Sequence, residues 1–161
     1  MTAYRVGTGF DAHALEPGVP LVLGGVSIRG TRGLAGHSDG DVIAHALIDA
    51  ILGAAGKGDI GELFPSVDPQ WLDVSSIRLL QRSYEVVRMG GFELVNADCI
   101  LIGERPRIAD VRVAMGARLA GAMGVDIDRV TVRATTTDGL GFTGRAEGLA
   151  SQAVALLRRS S

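Results

Sequence analysis

The stretch SDGDVIAHALIDAILGAAG, residues 38–56, decides how the rest of the chain is read. Ile43, Leu47, Ala50, Ile51 and Ala54 recur at helical spacing, and Ser38 or Asp39 is placed to cap the start. At roughly 100° per residue, His45 lies about 160° or more around the wheel from the Leu47/Ala50/Ala54 centre. The spacing therefore predicts a histidine turned away from the main apolar stripe. It shares its ridge with Asp41 and Asp49, four residues to either side. Carboxylates so placed can fix an imidazole tautomer, as partners of metal-bound histidines do.

On the N-terminal side, YRVGTG and PLVLGGVSI read as short strands, the second a hairpin turning at Gly24-Gly25. Residues 29–37 read as a loop. On the C-terminal side, GKGDIGELFPSVDPQW is a loop, because its glycines and prolines exclude a long regular element. A second helix follows, with Ile77, Leu80, Tyr84 and Val87 on one face and a stop at Gly90-Gly91. FELVNADCILIG is a buried strand. Pro106 suits the first turn of a third helix carrying Ile108, Val111, Met115 and Leu119. RVTVRAT alternates, with Val130, Val132 and Ala134 on one face. After a turn at TTTDGLGFTGR, the spacing of Leu149, Ala153, Leu156 and Leu157 predicts a last helix. This order of elements predicts an α+β fold, a mixed sheet with helices packed on one face.

The composition narrows the class. A chain of 161 residues fits one domain, residues 1–161. The net charge of −2 and the scattered basic residues argue against nucleic acid. No apolar run is long enough to span a bilayer, and the first ten residues lack a secretory layout. Cys99 is the only cysteine, which excludes an intrachain disulfide. A soluble cytoplasmic protein without a membrane partner is expected. The 23 glycines predict tight turns and close backbone approaches.

GTGFDAHAL, residues 7–15, places Asp11 and His13 two apart. In extended backbone such residues point to the same side. With His45 they make one carboxylate and two imidazoles, a zinc-type set that leaves a fourth position open. An Asp-x-His pair also occurs commonly without a metal. GTGFDA matches a dinucleotide fingerprint as well, but that fingerprint needs a helix next. Pro17, Gly18 and Pro20 block one.

Three motifs, GTGFDAHAL, GHSDGDVIAHALIDAILGAAGKGDIGELFP and ATTTDGLGFTGRAEGLA, lie far apart and in a distinctive order. Through them the chain resembles the 2-C-methyl-D-erythritol 2,4-cyclodiphosphate synthases over essentially its whole length. The resemblance implies a homotrimer with active sites between adjacent α+β subunits. It implies a small-molecule cytidine diphosphate substrate, 4-diphosphocytidyl-2-C-methyl-D-erythritol 2-phosphate, closed to the cyclodiphosphate with release of CMP. It implies Zn2+ on Asp11, His13 and His45, and Mg2+ or Mn2+ on the substrate diphosphate.

Residue by residue, the resemblance assigns His37 and Thr136 to transition-state stabilisation and Ser38 to a phosphate contact. Asp59, Ile60 and Gly61, with Phe64, Pro65 and Asp68 nearby, match the part that binds the erythritol. Gly103, Glu104, Arg105, Pro106, Arg107, Ile108 and Ala109 match the nucleotide pocket. Thr135, Thr137 and Asp138 fall beside Thr136, with Asp138 at a position expected to hold a Glu near the second cation. Phe142 and Arg145 match positions near a three-fold axis, where some members hold an isoprenoid diphosphate; Glu147 is placed to pair with Arg145. Ala146 stands where a glycine is expected.

Simpler readings exist for several of these residues: Ser38 as a helix cap, Asp59 as a turn residue and Pro106 as a helix start. Two other functions also suit the same residues. One is a zinc-dependent phosphoesterase; the other is a trimeric isoprenoid-binding scaffold without catalysis.

Overall fold

In the computed structural model, which describes residues 3–161, Tyr4–Pro17 runs as one long strand, β1. The stretch GTGFDAHAL is thus strand throughout. Its odd residues, Gly7, Gly9, Asp11 and His13, face a helix, while Val6, Thr8 and Phe10 on the other side are exposed. That helix, α1 (Val42–Ala55), crosses so closely that a Cβ on Gly9 would sit 1.9 Å from the Ala46 carbonyl oxygen. The same atom on Gly7 would lie 2.0 Å from Ala50 O. The two glycines that mimic a dinucleotide fingerprint serve instead to let the helix backbone approach the strand.

The other strands are β2 (Leu21–Leu23), β3 (Val26–Ile28), β4 (Arg32–Leu34), β5 (Phe92–Ile102), β6 (Val130–Thr135) and β7 (Gly148–Arg159). The main sheet runs β4-β1-β7-β5-β6, antiparallel except for the β5–β6 pair. β2 and β3 form the expected hairpin, with Gly24 and Gly25 both left-handed (φ 56° and 74°). Besides α1, the helices are α2 (Ile60–Leu63), α3 (Ser76–Met89), α4 (Arg112–Met123) and the single turn α5 (Gly141–Gly144). α1 packs on β1, β7 and β5, α3 on α1 and β5, and α4 on β6 and α3. The core lies between this helical layer and one sheet face, as the α+β reading expects.

Several expectations are corrected. Leu149, Ala153, Leu156 and Leu157 belong to a strand, not a helix. β7 is flanked by β1 and β5, and its run is apolar on both faces, which hides the period of two. α1 has no polar stripe: twelve of its fourteen residues are buried, His45 among them, because sheet and α3 enclose it. Its cap is Asp41, whose carboxylate accepts from Ala44 N, rather than Ser38 or Asp39. α4 begins at Arg112, so Pro106 and Ile108 precede it in a turn closed by Val111 and Arg112 N–H groups on the Ile108 carbonyl. The loop read over 29–37 contains the short edge strand β4, and the 56–71 loop contains α2 and a 3-10 turn at Pro69–Trp71. Ala134 is exposed, unlike Val130 and Val132. Among the described residues no helix is long and apolar enough to cross a membrane.

Candidate metal centre and adjoining clefts

Strand pleat and helix position together make the centre. β1 points Asp11 and His13 toward α1, and the glycine approach beside them brings His45 of α1 into reach. Asp11 Oδ2 lies 2.7 Å from His13 Nε2 and 3.0 Å from His45 Nδ1. The two ring nitrogens are 3.3 Å apart. These three side chains form a group able to hold a metal ion.

The donor chemistry fits a cation. His13 Nδ1 sits 2.5 Å from the Ala35 carbonyl, which can only accept, so Nδ1 carries the proton. In a neutral ring Nε2 then presents a lone pair to the Asp11 carboxylate, and two electron-rich atoms at that distance need a positive charge between them. Without a metal a proton must serve. Accordingly the hydrogen bond to Asp11 raises the His13 pKa, against the opposing effect of burial. Burial alone would raise Asp11, but hydrogen bonds from His13 and His45 outweigh it and hold the carboxyl at about 2.

Asp41 and Asp49 do not face the His45 ring as expected. Asp41 is wholly buried and accepts backbone N–H groups of Gly24, Gly25 and Ala44; burial raises its pKa to about 6 despite them. Asp49 accepts from Ile60 N. They tie the β2–β3 hairpin and α2 to α1 instead. The groups at the far side of the His45 ring are Ser76 and Ser38.

Beside the centre opens a cleft of about 390 Å³, lined by Asp11, His13, His37, Ser38, His45, Ile60, Gly61, Phe64 and Pro65 among others. Nine residues read from sequence as site residues are thus gathered on one wall system. Trp71, Leu79, Ser66 and Val67 also line it and were not foreseen. Trp71 packs edge-on against Phe64, with ring centres 4.9 Å apart; a lone tryptophan in a proline-rich loop was the available signal. His37 lies with Nε2 3.4 Å from the Asp68 carbonyl. Asp59 and Asp68 do not line the cleft; each caps a short turn, accepting from Glu62 N and Gln70 N respectively.

A second pocket of about 420 Å³ is built by Gly103, Glu104, Arg105, Pro106, Arg107, Ile108 and Ala109 with Thr135 and Thr136. Arg112 joins it from the first residue of α4. The two cavities share no lining residue. Thr136 Oγ1 donates to Asp138 Oδ1 at 3.1 Å, and Glu104 accepts from Gly139 N. Thr137 bonds the Leu140 carbonyl and Thr143, closing the α5 turn, and Arg145 pairs with Glu147 at 2.8 Å. Phe142 is partly exposed nearby. Asp138 and Ala146 both adopt left-handed backbone (φ 52° and 56°), which explains why a glycine is expected at Ala146.

Fold and site define an α+β protein with a three-donor metal-binding centre that opens into a cleft sized for a small ligand. The model of the YgbB family matches residues 4–158, and the chain belongs to that family. It is 54% identical over 153 residues to the 2-C-methyl-D-erythritol 2,4-cyclodiphosphate synthase of Moorella thermoacetica, covering 95% of this chain and 94% of that one. It is 55% identical over 163 residues to the synthase of the same name from Rubrobacter xylanophilus, covering 99% and 98%. Among solved structures, the bifunctional IspDF from Campylobacter jejuni superposes with a TM-score of 0.95 at 45% identity; the match covers 99% of this chain but 43% of that one. A synthase of the same name described as its CDP-bound form matches at a TM-score of 0.86 and 38% identity, covering 95% and 99%.

Proposed function

We propose that this chain converts 4-diphosphocytidyl-2-C-methyl-D-erythritol 2-phosphate into 2-C-methyl-D-erythritol 2,4-cyclodiphosphate and CMP, in non-mevalonate isoprenoid precursor biosynthesis. The observation that carries the reading is the Asp11–His13–His45 donor cluster opening into an apolar-walled cleft. Near-full-length identity to synthases named for that product supports the choice of substrate.

In this reaction the 2-phosphate attacks the β-phosphorus of the diphosphate and CMP leaves. The second pKa of a phosphate monoester is about 6, so the nucleophile arrives largely ionised and needs no strong base. The difficulty is anion meeting anion, and water competing for the phosphorus. Zn2+ on Asp11, His13 and His45, with Mg2+ or Mn2+ on the diphosphate, would supply charge neutralisation and orientation.

The chain's own residues do the rest. Phe64, Trp71, Ile60 and Leu79 form apolar walls that exclude water. Holding both ends of one substrate in reacting geometry is worth about 7–11 kcal/mol in well-oriented intramolecular reactions. His37 and Ser38 border the cleft and would donate to the phosphate. Residues Gly103–Ala109 would hold the cytidine, and Thr136, with Asp138 beside it, the diphosphate.

This assignment has a geometric requirement. Because the metal cleft and the second pocket are separate, their union calls for adjacent subunits, as in a homotrimer. The bare sheet face supports it: Val6, Phe10 and Val154 are 70%, 58% and 43% exposed, an apolar surface of the kind that association buries. Phe142 and Arg145 would then lie toward the assembly axis, where an isoprenoid diphosphate is a candidate guest. We place the whole as one domain acting in the cytoplasm.

The test is incubation with the cytidyl substrate, with and without chelator, followed by product identification. Cyclodiphosphate plus CMP, abolished by chelator and restored by Zn2+ with Mg2+, is expected. Hydrolysed phosphate would support a phosphoesterase instead, and no turnover in a metal-loaded trimer would support a binding scaffold.

A further inference from the structure

We propose that Asp39 and Ser76 form a proton-directing relay that fixes which nitrogen of His45 faces the metal, making Ser76 a positioning residue for the centre. The inference rests on the reading of Asp11, His13 and His45 as metal ligands. Its basis is a chain of contacts behind the ring. Ser76, the first residue of α3, is fully buried, and its hydroxyl donates to the Asp39 carboxylate through a short hydrogen bond. The other Asp39 oxygen accepts the Ser76 backbone N–H at 3.0 Å, so the carboxylate is held from two directions. Asp39 Oδ1 also accepts from Asp41 N at 3.1 Å.

A hydroxyl has one proton to give. Ser76 has given its proton to a carboxylate, so its oxygen can only accept from the ring nitrogen 2.8 Å away, His45 Nε2. That nitrogen must therefore carry the ring proton. In the metal-loaded centre its opposite, Nδ1, then turns a lone pair toward the point it shares with Asp11 Oδ2 and His13 Nε2. Reversing the ring proton would put N–H into the metal position and remove one of three donors. Ser38 Oγ, 3.0 Å from the same nitrogen, cannot impose this choice. Among the described residues its other hydrogen-bond neighbour is Ser76 Oγ at 3.5 Å, so no carboxylate takes up its proton.

The relay differs from a helix cap in a way that can be measured. Ser76→Ala removes the hydroxyl but keeps the backbone N–H bonded to Asp39, so the cap survives. Outer partners of metal-bound histidines are typically worth 10–100-fold in metal affinity.

The experiment measures Zn2+ affinity of wild type and Ser76→Ala by competition with a calibrated chelator. In parallel, 15N NMR of the Zn2+-loaded wild type reads directly which nitrogen of His45 carries the proton. The expected result is an Nε2–H tautomer for His45 in wild type and a 10–100-fold weaker Zn2+ affinity in the variant. Equal affinities, or an Nδ1–H tautomer in the wild type, would overturn the relay. The tautomer measurement decides the matter even if the variant fails to fold. Failure of the wild type itself to bind Zn2+ would overturn the ligand reading first, and is distinguishable from failure of the relay.

Discussion

Replacing Gly9 with alanine tests the packing that creates the metal centre. The new Cβ would lie 1.9 Å from Ala46 O and 2.9 Å from both Ala46 C and Ala50 N. All three are helix backbone, so no side chain can swing aside. The first contact falls about 1.5 Å short of ordinary van der Waals distance. α1 would have to retreat by about that much, and a radial gap of 0.5–1 Å already forfeits roughly a quarter to a half of a contact's attraction. With α1 buried on every side, the cost should reach or exceed the usual overpacking range, about 3 kcal/mol. For a chain of this size that lowers Tm by roughly 6–12 °C.

Retreat of α1 would also carry His45 away from Asp11, so Zn2+ affinity should fall with stability. The matched control is Gly121→Ala, inside α4, where a Cβ meets nothing within 4 Å. There the same substitution should stabilise by about 0.5–1 kcal/mol. Thermal melts of chelated protein and Zn2+ competition read both effects. A Gly9→Ala protein with wild-type Tm and affinity would refute the close-approach argument.

His45→Ala is expected to lose bound Zn2+ and nearly all cyclisation; metal analysis showing retained stoichiometry would remove His45 from the ligand set. Asp138→Glu lengthens a carboxylate already bonded to Thr136, and should shift the Mg2+ or Mn2+ dependence of turnover while leaving zinc content unchanged. The Asp11–His13 pair sets a pH window in metal-free protein. Asp11 is depressed from 3.8 to about 2, so its stabilisation is present above 3.8 and lost as pH falls toward 2. His13 is raised above 6.5, so its contribution is complete below 6.5 and fades as pH climbs through its folded value. The Tm difference between wild type and Asp11→Asn in chelator should therefore peak between 3.8 and 6.5; a difference independent of pH would contradict the pair.

Much of the site was legible because local geometry creates it. Two residues apart in a strand must share a face, so Asp11 and His13 could be paired from sequence alone. The β2–β3 turn was legible for the same reason, since adjacent left-handed residues call for glycine. What sequence hid depends on neighbours distant along the chain. α1 looked amphipathic because His45, Asp41 and Asp49 are polar, yet each is satisfied by partners from β1, the hairpin, α2 or α3. β7 looked helical because apolar residues such as Val154 and Leu156 also occupy its exposed face, so the sequence shows no clean alternation. Ser76 drew no reading at all, since nothing local shows that its hydroxyl reaches a histidine 31 positions earlier.

The place of β7 between β1 and β5 has a consequence for how the polypeptide is made. β7 is last in sequence among the described elements, yet β1 and β5 meet only through it. While the ribosome is still threading out β6, the strand bearing two of the three metal-binding side chains has no partner on that flank. A nascent chain stalled before residue 148 therefore leaves the long β7-facing edge of β1 unpaired and open to chaperones. Arg159 N bonded to Ala3 O extends the β1–β7 pairing to the last residue of β7.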